Sequence, residues 1–137
     1  MNKHCYLRAY MAGIAVPTPL LLVIMTAYTV FRLIYHFPVP LERFIVFPMA
    51  VVPNAWGLWN VLFVAWRRHL PLSIGLHGAL LPILLAPLGL AASVLLNFSI
   101  PGFATRAFPI LAPAALIFYY LAWKYLVGFL NRLLGLG

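Results

Sequence analysis

His77 stands inside a long apolar run, four residues after Ser73 and directly before Gly78. A charged imidazole is expensive in apolar surroundings, so a histidine there is either hydrogen-bonded packing or a functional group. As a neutral ring it has the lone pair that ligates a tetrapyrrole metal. Trp56, Trp59 and Asn60 lie in the preceding apolar run. Two indoles and an amide beside a histidine form a set that can hold a lipophilic ring, either a singly ligated tetrapyrrole or a quinone. No cofactor is required by the sequence.

Other chemistry lacks its parts. Ser73 and His77 share a helical face, but no acid is at hand to orient the imidazole for nucleophilic catalysis. The chain has one acidic residue, Glu42, against nine Lys and Arg. Two-carboxylate catalysis and carboxylate-rich Mg or Ca sites are therefore excluded within it. Cys5 is the single cysteine, which leaves no disulfide and no paired-thiol metal or redox site. Bis-histidine haem ligation is not expected, because His36 falls at the opposite membrane face from His77, and His4 and His69 lie near the surface. The expectation is a protein that is not an enzyme.

The elements that carry these residues follow from composition. Of 137 residues, 66% are apolar and 7% charged, far below the roughly 25% charged residues of a soluble domain. Lipid is the solvent such a chain suits. Four apolar runs, at about 12–36, 44–66, 72–98 and 107–130, read as four membrane-spanning helices in a single membrane domain. The breaks are too short for anything but antiparallel neighbours. The fold class expected is an all-α integral membrane protein: an antiparallel bundle of four transmembrane helices with proline kinks and short loops. Pro17 and Pro19 offer an alternative start for the first helix, with residues 1–16 as an interfacial lead-in.

The basic residues punctuate the apolar runs singly, so anionic headgroups and topology explain the +8 charge better than nucleic acid does. Lys3, Arg8, Arg67, Arg68, Lys124 and Arg132 fall on one side, and Arg32, Arg43 and Arg106 on the other. That bias predicts both termini in the cytoplasm. Seven Arg against two Lys and a lone cysteine suggest a bacterial inner membrane.

Two prolines fall in every span: Pro17 and Pro19, Pro48 and Pro53, Pro82 and Pro87, Pro109 and Pro113. Each interior proline frees an upstream carbonyl. The run Phe37 to Arg43 followed by Phe47-Pro48 resembles Ile100 to Arg106 followed by Phe108-Pro109, as a parallel repeat of two hairpins would. Helix packing is expected at Gly57, Asn54, Gly78, Pro82, Gly89 and Ser93, where small residues admit a neighbour and amides bond across helices. Arg32, Tyr35, His36, Glu42 and Arg106 are expected near the outer surface, where Glu42 has the only internal salt bridge to make.

These features give three expectations of function. The first is a non-catalytic accessory or scaffolding subunit of a larger membrane complex, or a homo-oligomer, whose partners are the bilayer and other membrane subunits or copies of itself. The second is a subunit binding a quinone or tetrapyrrole. The third is a small channel or transporter with Asn54, Asn60 and His77 along its path.

Overall fold

The computed structural model describes residues 4–36, 46–97 and 102–137. Glu42, Arg43, Lys3 and the Pro38, Pro40 and Pro101 positions lie outside them. So do the expected Glu42 salt bridge and most of the half-to-half similarity.

The described residues are helical, with no strand among them. They form α1 (Cys5–Ala15), α2 (Pro17–Tyr35), a π-helical stretch Val46–Val51, α3 (Val52–Trp66), α4 (Ile74–Leu95), α5 (Gly102–Leu121), a second π-helical stretch Ala122–Val127 and α6 (Gly128–Leu133). Four segments are long and apolar enough to cross a bilayer: Cys5–Tyr35, Pro48–Trp66, Ile74–Leu95 and Thr105–Leu133, with mean hydropathies of 1.9, 1.3, 2.1 and 1.6. The chain is a multi-pass helical membrane protein by that measure.

The first segment starts before Ala12, at Cys5, and Pro17 divides it without ending it. Proline fits there because position N1 of a helix has no hydrogen-bonded N–H to lose. α1 turns a small-residue face, Ala9, Ala12 and Gly13, toward α3. A Cβ on Gly13 would stand 2.5 Å from the Trp56 carbonyl oxygen and 2.7 Å from the Gly57 Cα. The two backbones therefore touch at glycine, the approach that small residues permit between membrane helices.

Local backbone bonds account for the helix ends. Ser73 is extended (φ −65°, ψ 146°) and its Oγ accepts from the Leu76 N–H at 3.4 Å, which starts α4. His36 closes α2 in the left-handed region (φ 52°), its N–H donating to the Arg32 carbonyl at 2.8 Å. Thr26 and Thr29 donate to the carbonyls of Leu22 and Met25 within α2, and Thr18 donates back across Pro17 to the Ile14 carbonyl of α1. α4 contains Pro82 and Pro87, and α5 contains Pro109 and Pro113.

Two apolar clusters hold the helices together. Trp56, Leu81, Leu85, Ala122, Trp123 and Val127 make the larger. The smaller joins Ala9, Val64 and Leu136, with Cys5 and Leu134 against it, so the two chain ends meet the last turn of α3. The Arg67 guanidinium donates to the Leu136 carbonyl beside it.

Burial is one-sided along the helices. α2 buries Pro17 and Met25, α4 buries nothing after Leu85, and none of the described residues of α5 is buried. α5 and α4 still touch there, around an apolar groove of about 390 Å³ lined by Pro82, Ile83, Ala86, Phe108, Leu111, Ala112, Ala115 and Leu116.

Candidate functional site

Trp59 and His77 clasp each other. The Trp59 indole N–H donates to the His77 carbonyl at 2.7 Å, and His77 Nε2 lies 3.0 Å from the Trp59 carbonyl. Only a protonated Nε2 can donate to that oxygen, so the neutral ring keeps its lone pair at Nδ1. The rings stack, with centroids 4.7 Å apart and planes 21° apart. Phe63 and Trp123 close the imidazole from two further sides, at 5.2 and 5.9 Å. His77 is left 7% exposed. Sequence order places Gly78 next to it, and Pro82 four residues beyond has no N–H for the Gly78 carbonyl. Trp123 occupies the notch that Gly78 leaves: a Cβ there would fall within its indole.

Asn60 sits one turn from Trp56, fully buried. Its amide exchanges two hydrogen bonds with Asn131, Nδ2 to Oδ1 at 2.8 Å and the reverse at 2.9 Å. Asn60 Nδ2 also donates to the Ala9 carbonyl at 2.7 Å. One amide pair thereby ties α1, α3 and α6 together inside an apolar layer. Asn54 lies in the first turn of α3. Its Nδ2 donates to the Ala50 carbonyl at 2.6 Å, and its Oδ1 accepts from the Tyr10 hydroxyl of α1. Ala50 belongs to the π-helical stretch before Pro53, where the regular ladder is interrupted.

Trp56 is 2% exposed, with Tyr119 at 5.0 Å and Trp123 at 5.4 Å between ring centroids. Among the described residues, neither its indole N–H nor that of Trp123 meets an acceptor in hydrogen-bonding geometry. Among the residues singled out from sequence, Trp59, His77 and Gly78 thus meet at one place, with Trp123 linking Trp56 to it. Asn60 is joined instead to Asn131. Gly57 faces Tyr10 and Ile14 of α1, whereas Gly89 and Ser93 lie in the open half of α4, the Ser93 hydroxyl donating to the Leu90 carbonyl.

Asn131 and Gly13 were not singled out from sequence. Asn131 had a readable signal: Trp123, Val127 and Asn131 recur every four residues, placing an amide on the stripe that faces the core. Among the described residues, no group of three or more His, Cys, Asp or Glu could hold a metal ion. Comparison with known protein families, curated proteins and solved structures finds no match to this chain.

Proposed function

We propose that this chain is a non-catalytic, four-span antiparallel bundle with both termini in the cytoplasm of a bacterial inner membrane. It serves as an accessory or scaffolding subunit of a larger membrane complex, or as a homo-oligomer. The one-sided burial carries this reading. At the end where Cys5 meets Leu134 and Leu136, every helix but α5 buries residues in a packed interior, the two buried amides bond to each other and the imidazole is held by Trp59. Toward the other end α2, α4 and α5 present long apolar faces. Bundle helices normally share a core along their length, so a second polypeptide completing that half is the simplest assembly. Extraction into mild detergent, with mass measured by light scattering, is expected to give a particle holding more than one polypeptide. A monodisperse single chain with no co-purifying protein contradicts the proposal.

The two buried indole N–H groups favour a second reading, a subunit binding a lipophilic ring. A quinone carbonyl could accept from Trp56 or Trp123, whereas a tetrapyrrole metal would have to reach His77 Nδ1 because Nε2 is held by Trp59. A colourless preparation with no extractable quinone removes this reading.

A further inference from the structure

We propose that Lys124, flanked by Tyr120 and Tyr125, is a binding site for the headgroup of an anionic phospholipid. The inference rests on the membrane-spanning reading above and adds a specific ligand class to it. Lys124 lies inside the fourth apolar segment yet is exposed on the outside of the bundle. Its ammonium stands 5.6 Å from the Tyr120 ring centroid and 5.4 Å from that of Tyr125, so two aromatic faces hold the charge in place.

The neighbouring helix sets the depth of this group. The Tyr120 ring packs where Gly75 lacks a side chain, within 2.8 Å of where a Cβ would be, and Gly75 is in the first turn of α4. Trp123 packs on Gly78, one turn further in. The Tyr120 ring, 5.6 Å from the ammonium, is therefore level with the first turn of α4, within about one helical turn, roughly 5 Å, of its start. A lysine stem spans that distance, and tyrosines concentrate at the same level of a bilayer. A headgroup phosphate at that level is within reach of the lysine.

Charge selects the ligand. No side-chain carboxylate occurs among the described residues, and the whole chain has one acid for nine bases. Arg67 and Arg68 follow α3 in the turn that leads to Ser73, and Arg132 is on α6, so this end of the molecule is basic. A headgroup with net negative charge gains from a basic surface, whereas a zwitterionic one does not. An acidic side chain on a partner helix is the competing source of counter-charge. The exposure of both Lys124 and Tyr125 on the lipid side favours the phospholipid.

The test is reconstitution in nanodiscs of phosphatidylcholine with a minor fraction of phosphatidylglycerol, followed by native mass spectrometry of the lipids that stay bound. The wild-type chain is expected to retain phosphatidylglycerol above its share of the bilayer. Lys124→Gln is expected to lose about fivefold of that enrichment, the effect of one cation near the surface. Lys124→Arg should keep it. Equal enrichment in Lys124→Gln and wild type overturns the site. No wild-type enrichment, with a co-purifying protein lost in Lys124→Gln, overturns it in favour of a partner acid. Failure of the chain to enter the bilayer at all overturns the membrane reading instead. If Lys124→Gln does not yield folded protein, the wild-type preference between the two lipids and its retention in Lys124→Arg decide.

Discussion

The Asn60–Asn131 pair is mutually hydrogen-bonded and buried, so altering one member exposes the other to a cost. Removing one amide leaves the other buried without a partner, which costs about 1–3 kcal/mol. Replacing both by leucine removes the polar groups together and spares much of that loss. Asn60→Leu and Asn131→Leu are each expected to lower the thermal midpoint in detergent, and the double variant to lie above the sum of the two losses. Strict additivity would show that the two amides do not act as a pair. The Gly78 notch gives a second expectation at this scale. Gly78→Ala drives a methyl into the Trp123 indole, and overpacking of this kind costs about 1–3 kcal/mol. Trp59 and Trp123 fluorescence should shift with it, because both rings border the same imidazole. That these residues matter was readable in sequence, since polar and very small groups inside apolar runs need a reason. Their partners were not readable. Asn60 and Asn131 are 71 positions apart, and nothing local says which of several helices an amide will meet.

At the scale of elements, the contact of α1 with α3 is the most revealing. Both Gly13 and Gly57 are in it, but different atoms face them. A methyl on Gly13 meets backbone, 2.5 Å from the Trp56 carbonyl oxygen, whereas one on Gly57 meets side-chain atoms of Tyr10 and Ile14 at 2.6 and 2.9 Å. Side chains can turn away and backbone cannot without moving a helix. Gly13→Ala is therefore expected to destabilise more than Gly57→Ala in a thermal or denaturant assay, and the reverse order would contradict the packing described. The existence of four apolar helices was legible from hydropathy alone, because about 20 apolar residues are needed per crossing. The start of the first was less legible. Pro17 and Pro19 read equally as a helix start or as a tolerated break, and only the face that Ala9, Ala12 and Gly13 turn to α3 decides between them. The π-helical stretches were invisible in sequence, since the extra residue they absorb is set by packing on neighbouring helices.

The described residues pack closely at one end of the molecule and bury little toward the other. Its closed end brings together Cys5, Val64, Leu134 and Leu136, as the proposed four crossings require. Hydropathy made the four apolar helices accessible from sequence. The open half was not accessible, because an apolar helix face looks the same in sequence whether it meets lipid, another helix of the chain or a partner. We propose that the chain crosses the bilayer four times and returns its C-terminal turns to its N-terminal ones. It is tested most directly by thiol labelling in sealed membrane vesicles of both orientations. A membrane-impermeant maleimide is applied to the native Cys5 and, in a Cys5→Ser background, to Gly137→Cys. Both thiols are expected to react in inside-out vesicles and to be protected in right-side-out ones. Reaction of the two from opposite sides would contradict the account.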